Sequence, residues 1–220
     1  MTEATRSGET VDRPDLEPRV ESLTVAGDVD AWHSIGLTVT TDGVIPLVGT
    51  SIRVVPTTDG GPIGIVGWAL SGARDTTDID GLATEVVAPA TPVFAAHALG
   101  ASGLDHVVVS TADLERTSGA IAEATGCELK RIREVGSMRQ GFHRIGRGGL
   151  IVELVERPDV PDGPATFWGL VLIVDDLDAA YELLGDDRIS APKDAVQPGR
   201  RIATVRADVG LGLPVALMTH

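Results

Sequence analysis

Two residues in this chain carry chemistry that does not suit their surroundings. His106 lies inside the apolar, β-branched run Leu104-Asp105-His106-Val107-Val108-Val109, and Glu153 inside Leu150-Ile151-Val152-Glu153-Leu154-Val155. If the two runs are strands that bound one structural unit, both residues stand at equivalent inward positions. An imidazole beside a carboxylate in an apolar hollow is a satisfied pair and a competent general base. His106 and Glu153 are therefore the candidate catalytic residues. Phe167 and Trp168 open another apolar run, and a ring pointing inward would give the hollow an apolar wall. Between Lys130 and Arg147, six cations (Lys130, Arg131, Arg133, Arg139, Arg144 and Arg147) face one anion, Glu134. That patch could draw in a small anion, so Arg139 and Arg144 join Phe167 and Trp168 as candidate substrate-binding residues. The competing reading puts the arginines on the wet face of an antiparallel sheet and the two rings in ordinary packing.

The elements that must position these residues are written as a repeat. The run 104–109 is followed by Asp113, a good helix N-cap, by Leu114, Ile121 and Ala122 on one helical face, and by Gly126 as a stop. The same order returns in Phe167 to Val174, Asp176, then Leu177, Ala180, Tyr181 and Leu184, then Gly185; the caps are offset by 176 − 113 = 63. At the far ends, Leu150 to Val155 matches Leu213 to Met218, again at 213 − 150 = 63. Two further strand-like runs fit between helix and last strand in each copy: Glu128 to Val135 and Met138 to Ile145, then a weaker Ile189 to Val196 and Arg201 to Arg206. Each copy reads βαβββ. Glycines and prolines at Gly146, Gly148, Gly149, Pro198 and Gly199 stand where turns are needed, and Gly210 and Gly212 read as hairpin punctuation.

The N-terminal half carries a weaker echo. Val20 to Val25, then Asp28, Val29, Trp32 and Leu37, repeats strand, cap and helix, and Gly49 to Val55 closes the unit. Ile63 to Leu70 opens a fourth unit without a helix, because Ala73 to Asp80 has the composition of a turn. The expected organisation is a polar tail over 1–18, a shortened relative of the second half over 19–90, a connection over 91–103 rich in small residues, and two complete units over 104–220.

Composition narrows the function classes. A net charge of −14 with only three Phe, three Trp and one Tyr argues against nucleic acid as a partner. No run approaches about 18 consecutive apolar residues and the start has no signal-peptide core, so the expected location is the cytoplasm, with no membrane partner. The single cysteine, Cys127, leaves no internal disulfide and no cysteine-based zinc site. A nucleophile elbow, a Walker-type phosphate loop and a paired-histidine metal helix are all absent from the sequence.

Residues 104 to 218 resemble the vicinal oxygen chelate superfamily, the group of glyoxalase I, methylmalonyl-CoA epimerase, extradiol dioxygenases and the fosfomycin- and bleomycin-resistance proteins. The likeness rests on Gly103-Leu104-Asp105-His106-Val107-Val108, on Leu150 to Glu156, and on the paired βαβββ layout. It implies an α+β fold in which tandem βαβββ modules form a cup-shaped mixed sheet, with the C-terminal pair complete and the N-terminal half shortened. It also implies a divalent metal ion held from the first and last strand of each module. His106 and Glu153 match the first pair of metal ligands; 63 residues on, the second pair falls on Gly169 and Ala216, which offer no donor. His143 and Glu21 are the candidates for a replacing ligand, while His33, His97 and His220 receive no role. The implied protein binds a small anionic or oxygen-rich organic ligand with no tightly held cofactor. The alternative is an active metal-dependent lyase, isomerase or dioxygenase, and a homodimer is compatible with either.

Overall fold

The computed structural model describes residues 16–220. The N-terminal half contains β1 (Arg19–Ala26), α1 (Val29–Ser34), β2 (Val44–Leu47), β3 (Thr50–Val55), β4 (Gly64–Ser71), β5 (Asp78–Ile79) and β6 (Leu82–Val86). The C-terminal half contains β7 (Ala101–Thr111), α2 (Leu114–Thr125), β8 (Arg131–Val135), β9 (Met138–Arg144), β10 (Ile151–Glu156), β11 (Thr166–Val174), α3 (Leu177–Leu184), β12 (Lys193–Asp194), β13 (Arg201–Thr204) and β14 (Val215–Met218). The expected tail lies, as far as residue 15, outside the described residues. Among the described residues no helix is long and apolar enough to cross a membrane.

The chain builds two mixed sheets, ordered β2-β3-β1-β4-β6-β5 and β12-β13-β14-β11-β7-β10-β9-β8. In the second sheet β7 runs parallel to β10, β11 runs parallel to β14, and β7 pairs antiparallel with β11. The pairs are symmetric about Val107↔Leu170: His106↔Val171 has its image in Val108↔Gly169, and Val108↔Glu153 has its image in Val171↔Ala216. Both images follow from adding 63, since 170 − 107 = 63. The α+β cup of tandem βαβββ modules is thus present in full. One element is weaker than its counterpart: β12 shrinks to two residues where β8 has five, because Pro192 removes a backbone donor from the run.

The first sheet is the same plan with parts removed. Its pairs are symmetric about Leu23↔Trp68, an offset of 68 − 23 = 45. Both modules lack the outermost strand, leaving six strands against eight, and the second also lacks its helix, the segment Gly72–Thr77 being turn and coil. In this register Ser22, not Glu21, takes the place of His106: Ser22 pairs with Ala69 and Ser51 as His106 pairs with Val171 and Ile151. An ungapped match on the helix caps slips by one residue because Asp28 follows Ser22 by six positions and Asp113 follows His106 by seven. One residue of slip in a strand exchanges the faces, which removes Glu21 as a counterpart of His106.

Apolar side chains from both halves form a single contiguous core, from Val20 and Trp68 to Val107, Leu172 and Leu217. The tip of the β5–β6 hairpin ties the halves together. There Asp80, in the left-handed region at φ 52°, accepts hydrogen bonds from the Arg116 guanidinium and the Thr117 hydroxyl on α2.

On β9 the even-numbered Met138 and Gln140 face the concavity, while Arg139, Gly141 and His143 face α2. His143 is buried: its Nδ1–H donates to the Cys127 carbonyl at 2.9 Å and its Nε2 accepts from the Ser118 hydroxyl at 2.9 Å. The sequence offered it as a replacing metal ligand; both ring nitrogens are instead engaged by protein groups, because its strand turns it beneath the helix. Burial pushes the His143 imidazole below its ordinary value of 6.5, against the opposing pull of the Cys127 carbonyl. A histidine held neutral when folded contributes stability that is present above its unfolded value and lost as pH falls toward its folded one. In urea titrations at pH 7 and pH 5, the wild type should therefore lose more unfolding free energy than His143→Gln, whose amide can keep both contacts without titrating. Equal losses would show that His143 carries no part of the acid sensitivity.

Candidate functional site

The concave face of the C-terminal sheet encloses a cavity of about 320 Å³. Apolar side chains make most of its wall, among them Val108, Met138, Leu170 and Val171, with Ala216 on the same lining. His106, Glu153 and Gln140 form one polar side, and Arg157 and the half-exposed Trp168 also line the opening.

The polar side is a connected chain. His106 Nε2 lies 3.3 Å from Glu153 Oε2, and the Gln140 amide donates to Glu153 Oε1 at 2.6 Å. Behind the ring, His106 Nδ1 lies 2.7 Å from Asp105 Oδ2, and Arg200 Nη2 donates to Asp105 Oδ1 at 2.8 Å. The His106 and Glu153 side chains are each 13% exposed.

A local irregularity makes this possible. Consecutive side chains on a regular strand point to opposite faces, so Asp105 should face away from its neighbour. However, β7 pairs through Val171↔His106 and Leu172↔Leu104, leaving Asp105 as an extra residue in a β-bulge. The repeat places a second bulge at Trp168, between Phe167↔Val109 and Gly169↔Val108, and 168 − 105 is again 63. One bulge brings a carboxylate to the imidazole; its image turns an indole toward the cavity opening.

The electrostatics follow from the partners. Burial alone would raise the Asp105 carboxyl, but the hydrogen bonds from His106 and Arg200 outweigh it and hold the group below its ordinary range. An ionised Asp105 requires a proton on His106 Nδ1. Burial pushes the Glu153 carboxyl up, against the nearby imidazole and the Gln140 amide. With Nδ1 occupied, the Nε2···Oε2 contact needs a proton as well, either on the imidazole as imidazolium or on the Glu153 carboxyl. In both arrangements Arg200, Asp105, His106 and Glu153 sum to zero charge, which is what a low-dielectric wall requires.

The remaining candidates go elsewhere. Phe167 packs edge-on against Trp68 of the N-terminal half, with ring centroids 5.4 Å apart, and does not line the cavity. Arg139 is drawn to the helix side by Glu115 (2.5 Å) and Glu156 (3.1 Å), which raise its already high pKa. Arg144 donates to the Gly149 carbonyl at 3.0 Å and lines a separate cavity of about 640 Å³ shared with β1 and the β2–β3 turn. Arg131 stacks over Phe142, so the basic stretch is spread over several surroundings. Glu21 accepts from the Ser71 hydroxyl at 2.5 Å and the Ala90 amide at 3.1 Å. Gly169 stands at the second-module position, but a Cβ there would lie 2.7 Å from the Pro214 carbonyl oxygen and 3.2 Å from Pro214 Cβ. Sequence reasoning missed Asp105, Gln140 and Arg200. Gln140 was within reach of strand alternation; the bulge that recruits Asp105 leaves no mark in residue type.

No family model matches the sequence, and no curated protein does. Among solved structures, a variant of 4-hydroxymandelate synthase from Streptomyces coelicolor superposes over 93% of this chain and 93% of its own, with a TM-score of 0.63 at 16% identity. Methylmalonyl-CoA epimerase from Mycobacterium tuberculosis matches 55% of this chain and 89% of its own, with a TM-score of 0.46 at 19% identity. The Streptomyces coelicolor epimerase matches 54% and 94%, with a TM-score of 0.44 at 19% identity. The chain has the vicinal oxygen chelate fold.

The two rings that open β11 should separate cleanly in experiment. Phe167→Ala should cost about 2–3 kcal/mol of unfolding free energy, because it removes a ring wedged between the halves. Trp168→Ala, at a side chain 50% exposed, should cost about 1 kcal/mol or less. Chemical denaturation followed by far-UV circular dichroism measures both, and the reverse order would mean that the bulge turns the other ring inward.

Proposed function

We propose that this chain binds a small organic molecule in the C-terminal cup, with the apolar body of the ligand against Val108, Met138 and Leu170 and an oxygen-bearing head at His106 and Glu153. The observation that carries the reading is a connected polar side in a mostly apolar hollow, which is how small-molecule sites fix orientation. The polar pair can also exchange a proton with the head group, since it holds one proton between two bases in contact. An anionic head would have Arg157 nearby, whereas Arg139 and Arg144 are engaged elsewhere.

The fold family's divalent ion fits this site poorly. Two donors at 3.3 Å could chelate one ion, but the repeat-related positions are Gly169 and Ala216, and Pro214 leaves no room for a longer side chain at 169. Among the described residues no group of three or more histidine, cysteine or acidic side chains is placed to hold a metal. Structural and catalytic sites ordinarily draw on three or four protein ligands, so two alone should hold a first-row ion weakly. The second reading, a metal-dependent lyase, isomerase or dioxygenase, needs one further donor, and the fold is what favours it.

Metal content of untagged protein decides between the two. Dialysis against a chelator should leave less than about a tenth of an equivalent of zinc, nickel, manganese or iron, with Tm unchanged, because a weak ligand adds little through RT ln(1 + [L]/Kd). One tightly held equivalent, lost in both His106→Ala and Glu153→Ala, would establish the metal-dependent reading instead. Ala216→Glu adds a carboxylate to the same lining and should raise zinc or manganese affinity at least tenfold; no gain would refute the 63-residue correspondence as a guide to the site.

A further inference from the structure

We propose that Asp105, anchored by Arg200, is a positioning residue that fixes the ring of His106 and selects the nitrogen it presents to the cavity. The inference rests on the cup being the ligand site, but it concerns the imidazole itself and can be tested without a ligand.

The argument starts from the bulge. A carboxylate next in sequence to a strand histidine would normally point to the opposite face; here the extra residue in β7 brings Oδ2 to 2.7 Å from Nδ1. The Asp105 side chain is only 8% exposed, so each oxygen needs a partner, and each has one. Oδ1 receives Arg200 Nη2 at 2.8 Å, while Arg200 Nε is committed to the Thr219 carbonyl at 2.7 Å. Arg200 sits in the turn before β13 and therefore belongs to the second module. The module without metal donors thus supplies the cation that steadies a carboxylate of the other.

A buried Arg–Asp pair alone would be a structural ion pair. What sets this one apart is the second carboxylate oxygen, which spends its hydrogen bond on a ring that lines the cavity. A charge-assisted bond at Nδ1 holds the ring against rotation about its Cβ–Cγ axis, since a flipped ring would set a carbon against Oδ2. It also places the Nδ1 proton on the far side, so the cavity and Glu153 meet Nε2. The N-terminal sheet repeats the same bulge at Glu21, but there the neighbouring strand residue is Ser22 and the carboxylate turns to the Ser71 hydroxyl and the Ala90 amide, so only the copy at Asp105 sets a carboxylate against an imidazole.

The test uses full-length protein labelled with nitrogen-15 and long-range proton–nitrogen spectra of the histidine rings, with His106 assigned by its loss in His106→Gln. In the wild type at neutral pH, Nδ1 of His106 should carry a proton. In Asp105→Asn the side-chain amide can donate to Nδ1, so the Nδ1–H pattern should be lost and the proton should appear on Nε2. Asp105→Glu, which keeps a carboxylate, should restore the wild-type pattern. Retention of Nδ1–H in Asp105→Asn would overturn the proposal, as would a wild-type His106 with a bare Nδ1. The second outcome decides the matter even if the Asn variant does not fold. A tightly bound metal would refute the preceding functional reading while leaving this one standing.

Discussion

The antiparallel seam between β7 and β11 is the constraint on which everything else hangs. It joins the two C-terminal modules at Val107↔Leu170, and each of its strands also pairs in parallel with the last strand of its own module. Four central strands are thereby locked in one register. Side chains alternate from that line, so the seam alone decides that His106, Val108 and Glu153 look into the hollow while Val107, Val109 and Leu154 look toward the helices. The bulges are local departures from this register, and the chemistry of the cup gathers at them.

Buried charge is the second organising fact. The protein is strongly acidic overall, yet the polar wall of the cup is self-neutralising: a guanidinium, a carboxylate, an imidazole and a second carboxylate in line. Each member relieves the cost of burying the next, and taking one away strands its neighbour in an apolar medium. The exposed ion pairs, such as Arg74 with Glu123 or Arg201 with Asp178, are screened by water and add little. The fold therefore spends its well-made electrostatic contacts where a ligand would meet them.

Much of this plan could be read from the residues. Asp113 and Asp176 cap their helices as their types suggest, Gly126 adopts the left-handed conformation that ends α2, and the 63-residue spacing is reproduced pair by pair in the seam. Strand patterns survive duplication because they depend on coarse polarity, which many residues satisfy. The site was legible only in part. His106 and Glu153 are visible as polar residues in apolar runs, but Phe167 rests on its place at the start of a run and Arg139 and Arg144 on a local cluster of charge, and neither signal reveals the face. Phe167 goes to the inter-half packing because an extra residue intervenes at Trp168; Arg139 goes to the helix because Glu115 and Glu156 wait there. The offset of 45 in the N-terminal half was hidden by its two lost strands and lost helix, which broke the regular spacing.

The shared core bears on how the chain can be divided. A boundary drawn near residue 100 looks natural on paper, yet it would strip Trp68 from Phe167 and pull the Asp80 hairpin tip off α2. The excised C-terminal piece would keep its hydrogen-bonded sheet and present a raw apolar flank, the kind of surface that drives self-association. A fragment made for crystallisation or screening would owe its behaviour to that flank as much as to its pocket.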